Sequence, residues 1–396
     1  MIFSTKHNRR VRIVVAALGV SLTAAACGGD DGGGGGGSGG SGATYTIGAV
    51  FPLSGQSAAF GEAYQVATDI CVQYANDELI EGTMEIEYSD GQGLPAPSVT
   101  AMNRLVNVDD ALAVLTGFSA PTKALAPIAN QAQVPLLNGG ASAPDLQGLG
   151  DYVFNNIPLA DQQVPASVQY VVEDQGLTDW YVIYSNETLG LSMQAAAEEL
   201  VPDAGGQISG ESEIDPQATD FGSQVAAIRD ADPDVVFLAT TTGGQIPTLI
   251  RQIRAAGIEA QLVSYAGVDT PEVLALPEAD GLVYTSQAVD YELDQPLTQY
   301  FSETFAEENP DVSPTTLQAN YCSQMSILGT AIAALEQDGA EVTGEAIQQQ
   351  ITEIGTFDVV GGEVTFQEGG TVELPIDVRQ ISGGEATVVS TYTPED

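Results

Sequence analysis

Short apolar runs alternate along this chain with amphipathic runs from Tyr45 onward. The strand-like runs are YTIGAVFP (45–52), MEIEYSD (84–90), AVLTG (113–117), VPLLN (134–138), WYVIYS (180–185), QISGE (207–211), DVVFLAT (234–240), QLVSYAG (261–267) and GLVYTS (281–286). Between them lie FGEAYQVATDICVQYANDEL (60–79), SVTAMNRLVN (98–107), LSMQAAAEEL (191–200), FGSQVAAIRDA (221–231) and QIPTLIRQIRAAG (245–257), all with helical spacing of their apolar residues. Most strand-like runs are apolar without strict alternation, the mark of strands buried on both faces. Separated by helices, such strands predict parallel α/β layers with short right-handed connections. The strand–helix unit recurs, first through 45–155 and again through 176–285.

Two neighbouring strands finish alike. AVLTG breaks into FSAPT and VPLLN into GGASAP, which sets Ser119 and Ser142 at the carboxyl ends of their strands in a stretch almost free of charge. Parallel sheets carry their sites at those ends, where helices begin and present unpaired N–H groups. Two readings follow. The serines are helix caps, with Asp145 three residues after Ser142 completing a capping box, or they hold one small anion such as a carboxylate. The glycines of NGGASA favour a ligand, because they let backbone approach it closely. SDGQGLP (89–95) has alternating glycines but no helix directly behind it, and reads as a turn.

Charge narrows the function. The formal net charge is −44, and removing residues 1–26 takes four of the ten basic residues and none of the acidic ones, leaving about −48. Nucleic acid and anionic lipid headgroups are excluded as charge-matched partners. Self-repulsion of this size is relieved by salt and points to a high-salt setting. Residues 1–26 read as a signal peptide: a basic start, an apolar run too short for a lasting membrane span, then small residues. They end at Cys27, in a pattern like that of bacterial lipoprotein signals, although Ala24 stands where leucine is usual. A Gly/Ser-rich tether (27–43) follows, suited to holding a domain off a membrane by an N-terminal lipid. The alternative is a plain secretion signal with a stray cysteine. Cys71 and Cys322 remain, either a disulfide in an oxidising compartment or two buried thiols. The one histidine, His7, lies in the signal, and no nucleophile elbow, Walker loop, C-x-x-C or dinucleotide fingerprint occurs. The expectation is a binding protein without enzymatic activity, metal or cofactor.

In order along the chain, IGAVFPLSGQSAAFG (47–61), SDGQGLPAPSVTAMNRLV (89–106), LTGFSAPTKALAPIANQAQVPLLNGGASAPDL (115–146), WYVIYSNETLG (180–190), DPDVVFLATTTGGQIPTLIRQIRAAG (232–257) and VTFQEGG (364–370) resemble the type I extracytoplasmic solute-binding proteins of ABC importers, the branched-chain amino acid receptors among them. The resemblance covers essentially all of 44–390. It implies an α/β fold of two doubly wound parallel-sheet lobes joined by three crossings, near Ile157, Gln287 and Thr371. The N-terminal lobe would be 44–156 plus 288–370, and the C-terminal lobe 157–287 plus 371–396. Cys71 and Cys322 would then share a lobe. A small solute would bind in the cleft, and a permease in the cytoplasmic membrane would receive it from a monomeric receptor. A ligand-sensing receptor domain would share the same fold.

Carried over residue by residue, the resemblance places Ser119 and Ser142 on the ligand carboxylate and the Gly140 carbonyl on its amine. Ser57 and Phe60 would close over the ligand, with Tyr64 in the core. In the second lobe the family's two aromatics and its ammonium-binding glutamate are replaced by Leu189, Thr241 and Ala266. An ammonium buried without a carboxylate is costly; Asp269, one turn away, is the nearest candidate to replace it. The carboxylate half of an amino-acid site is thus present and the amine half altered. Branched-chain and other apolar amino acids lead, followed by small organic acids, amides and aromatic acids.

Overall fold

A computed structural model describes residues 42–240, 245–310 and 312–393. Cys27 and Thr241 lie outside them.

The chain builds two sheets. The first contains β1 (Thr44–Phe51), β2 (Thr83–Asp90), β3 (Ala113–Thr116), β4 (Leu136–Asn138) and β5 (Val153–Asn155), all parallel in the order β2-β1-β3-β4-β5. Its connections are α1 (Ala58–Tyr74), α2 (Pro95–Asn107) and α3 (Ser119–Ala132). α2 begins at Pro95, the last residue of SDGQGLP, three residues before the apolar pattern suggests. Proline at the first helical position loses no hydrogen bond there, so the turn feeds straight into the helix.

The second sheet has β6 (Asp179–Ser185), β7 (Gln207–Ile214), β8 (Val235–Ala239), β9 (Gln261–Tyr265) and β10 (Val283–Gln287). Around it run α4 (Ala160–Val168), α5 (Thr188–Asp203), α6 (Gly222–Ala231), α7 (Gln245–Ala255) and the short α8 (Pro271–Leu274). The chain then returns to the first lobe with α9 (Pro296–Glu308), α10 (Thr316–Asp338), α11 (Gly344–Ile354) and the hairpin β11 (Thr356–Val359) and β12 (Gly362–Thr365). It ends back on the second sheet with the antiparallel strands β13 (Ile376–Ser382) and β14 (Glu385–Tyr392), giving the order β14-β13-β10-β9-β8-β6-β7.

Period-two side-chain direction explains both layers. On β8, Val235, Phe237 and Ala239 enter one core while Val236 and Leu238 enter the other. On β3, Ala113 and Leu115 face one core and Val114 the opposite one. α7 lays Ile246, Leu249, Ile250 and Ile253 as one buried stripe. The edge strand β7, QISGESEI, alternates exposed and half-covered positions, and its charges blunt pairing with another edge.

α10 is the spine of the first lobe. A capping box of Thr315 and Gln318 starts it, and Gly339 in the left-handed region ends it. It packs against α1, and Cys71 and Cys322 join the two helices as a disulfide with Cα atoms 5.0 Å apart.

Candidate functional site

The site forms because β3 and β4 end side by side. Thr116 pairs with Asn138, so the two following loops leave the sheet together. Asn138 is fully buried and shapes the second loop. Its Oδ1 accepts from Gly140 N–H (3.2 Å) and Ala141 N–H (2.7 Å), while its Nδ2 donates to Ala141 O (2.7 Å) and Asn155 Oδ1 (2.8 Å). Ala143 N–H donates to Ser119 Oγ (3.3 Å), which stitches the two strand ends to each other.

Capping does not account for either serine. Ser119 is the first residue of α3, behind an N-cap at Phe118, and makes no cap bond. The single helical turn after Ser142 has Ala143 at its N-cap, and Asp145 pairs with Lys123 instead of closing a capping box. The capping-box expectation at Ser142 is therefore corrected: the turn begins one residue later, and Asp145 has a lysine to answer.

Glycines make room. A Cβ on Gly140 would lie 2.9 Å from Gly117 O, Tyr321 Oη and Tyr64 Oη, and one on Gly117 would lie 2.0 Å from Tyr321 Oη. Tyr321 cannot yield easily, because its hydroxyl donates to Thr116 O (3.1 Å) from inside the core.

These loops line one side of a small cavity that opens to solvent. Phe60, Ser119, Gly140 and Ser142 border it from the first lobe, and Leu189 and Ala266 from the second. Tyr64 borders it too, beyond its expected core role. Ser57 does not; it is buried at the start of α1, beside the turn at Gly93. Burial pushes the hydroxyls of Tyr64 and Tyr265 well above the ordinary phenol range, and the charge of Glu187 raises Tyr265 further. Both rings are neutral walls.

Asp269 does not face the cavity. Its Oδ2 accepts from Thr316 N–H (3.0 Å) and Thr316 Oγ1 (2.9 Å), linking the loop after β9 to the start of α10 across the cleft. It therefore does not stand in for the missing glutamate, since the α10 N-terminus already holds this carboxylate.

Three amides whose place in the site sequence reasoning missed, Gln163, Gln287 and Asn320, complete the walls. Asn320 donates to Gly139 O (3.1 Å), its carbonyl oxygen accepts from Gln287, and its backbone carbonyl accepts from Asn156 Nδ2 (3.1 Å). One α10 residue, through its side chain and its backbone carbonyl, thereby binds the glycine loop and two of the segments that pass between the sheets. Gln163, on α4, borders the cavity as well.

Two parallel-sheet lobes around a cleft that ends in helix starts and hydroxyls define a type I binding-protein fold. A model described as "Periplasmic binding protein" matches residues 44–386, and the chain belongs to that family of extracytoplasmic, non-catalytic solute-binding proteins. A leucine-, isoleucine-, valine-, threonine- and alanine-binding protein of Pseudomonas aeruginosa is 22% identical over 347 residues, covering 83% of this chain and 87% of the relative. Leu/Ile/Val-binding protein homolog 3 of Brucella melitensis is 23% identical, covering 84% and 90%. Among solved structures, a leucine-binding protein of Thermotoga maritima superposes with a TM-score of 0.81 at 20% identity, covering 88% of this chain and 99% of that one. An ABC-transporter solute-binding protein of R. palustris in complex with benzoate superposes at 0.79 with 18% identity, covering 89% and 97%.

Proposed function

We propose that this protein is the capturing component of an ABC importer, anchored by lipid on Cys27 to the outer face of the cell membrane. It takes a solute with one carboxylate and an apolar body, of the size of a branched-chain or other apolar amino acid, and presents it to a membrane permease. The observation that carries this reading is the pair Ser119 and Ser142, stitched through Ala143 at the mouth of two loops and facing a cavity of aromatic, aliphatic and neutral polar side chains. Two hydroxyls and the N–H groups opening α3 suit a carboxylate. The relatives named above are named for small, mostly apolar amino acids, threonine included, in one group and hold benzoate in another, and a carboxylate on a small, largely apolar body is common to both.

The test is a thermal-shift screen of apolar amino acids, their deaminated acids, amides and aromatic acids, followed by calorimetry on Ser119→Ala and Ser142→Ala. Losing a hydrogen bond to a charged group costs about 1.5–3 kcal/mol, or roughly 10- to 150-fold in affinity. Each variant is expected to lose about that much while keeping its fold. Unchanged affinity in both removes the site.

A further inference from the structure

We infer that the solute is a hydroxy acid, with a hydroxyl near its carboxylate where an amino acid carries its ammonium, and that Gln163 selects it. This rests on the carboxylate site proposed above.

Gln163 is 2% exposed and borders the cavity. Its Nε2 donates to Pro158 O (2.8 Å), which fixes the orientation of the amide. Its Oε1 is buried with no hydrogen-bond partner, and among the described residues that border this cavity Gln163 is the one with such an oxygen. A buried acceptor left in this state is unfavourable until a donor reaches it. The donor belongs close to the carboxylate. Ala160 N–H, at the first residue of α4, donates to Ser142 O (2.7 Å), and Gln163 follows less than one helical turn later, a rise of about 4.5 Å.

The donor is uncharged because the described lining holds no carboxylate to pair with a positive charge, Glu187 acting on Tyr265 from outside it. No Asp or Glu is among the described residues that border the cavity. Asp269 holds Thr316, and Glu187 accepts from Ser185 Oγ (2.9 Å) outside the lining. The segment 241–244, TTGG, contains no acid. Among the described residues an ammonium here would meet neutral amide, carbonyl and hydroxyl oxygens but no carboxylate, between two tyrosines whose burial keeps them neutral, and would lose most of its hydration. A hydroxyl gives Gln163 its donor without that loss. A site built to hydrogen-bond a substrate group discriminates strongly against analogues that leave its buried partner unpaired.

The experiment compares three acids on each of two skeletons by calorimetry at pH 7. One set is L-leucine, L-2-hydroxy-4-methylpentanoate and 4-methylpentanoate; the other is L-phenylalanine, L-3-phenyllactate and 3-phenylpropanoate. On whichever skeleton binds, the hydroxy acid is expected to be at least about 10-fold tighter than the amino acid and about 5-fold tighter than the unsubstituted acid. Gln163→Met should erase the preference for the hydroxy acid over the unsubstituted one. Gln163→Glu, isosteric and negative, should move the preference toward the amino acid by about 10-fold or more. An amino acid bound tightest by the natural protein overturns the inference and leaves the carboxylate site standing, as does a hydroxyl preference that survives both substitutions. Failure of all six acids to bind removes the carboxylate site itself, and the inference with it.

Discussion

Asp269→Asn should loosen the closed cleft without touching the solute. The carboxylate reaches from the loop after β9 to Thr316, accepting from its N–H at 3.0 Å and its hydroxyl at 2.9 Å. Because Thr316 opens α10 in the other lobe, these bonds are broken when the lobes part, and they favour only the closed form. Charge-assisted hydrogen bonds contribute about 1.5–3 kcal/mol, against 0.5–1.5 for neutral ones. Asparagine keeps one acceptor, so the variant should lose roughly 1–2 kcal/mol of closure. A ligand that binds only the closed form inherits that loss, a fall in affinity of about 5- to 30-fold. Calorimetry with the best hit from the screen gives the number, and small-angle scattering with and without ligand shows whether the open form is more populated. Thr316→Val removes the hydroxyl from the other side, so the double variant should be less than additive by about 1 kcal/mol. Unchanged affinity in Asp269→Asn, or strict additivity with Thr316→Val, would refute the account.

The disulfide joins helices 251 positions apart in sequence, so a Cys71→Ala, Cys322→Ala double variant should lose about 2–5 kcal/mol in denaturant unfolding of the first lobe. Two alkylatable thiols in the natural protein without reductant would contradict the bond. Salt should raise both melting temperature and affinity for an anionic solute, since only six cations offset 54 acids after residue 26; flat curves to molar potassium chloride would show that the charge is compensated locally. Cys27→Ala should move the protein from the membrane fraction to the soluble one, and unchanged fractionation would sink the lipid anchor.

Much of the fold was legible because burial on both faces leaves a trace that survives without context. VVFLA is apolar throughout and AVLT apolar up to its buried Thr116, as strands packed between two helical layers must be. α10 was harder to see. Its buried positions run right round the helix and include Asn320, Ser323, Gln324 and Ser326, so the stripe that reveals α7 is absent. A different signal was available. Thr316–Leu335 carries no charged residue in a chain with 54 acids, and such a gap marks a segment enclosed by protein on every side.

The same depletion runs through 111–144, where Lys123 is the only charged residue, and this is the stretch that builds the serine loops. What sequence could not supply was the work of the amides. Asn138, Gln163 and Asn320 are ordinary polar residues until the fold buries them, and their partners lie on other elements: Asn155 for Asn138, Gly139 and Gln287 for Asn320. Amides can satisfy buried backbone and leave one oxygen for a solute without adding charge. A carboxylate at −48 faces repulsion from every exposed acid, so the binding region gains from neutrality. On the proposed function, its attraction would come from hydroxyls and helix N–H groups at contact distance, where local dipoles outweigh a screened distant field. An acidic surface and a cavity whose described lining holds no acid thus fit the proposed function, in which long-range charge stays outside and short-range dipoles select the solute.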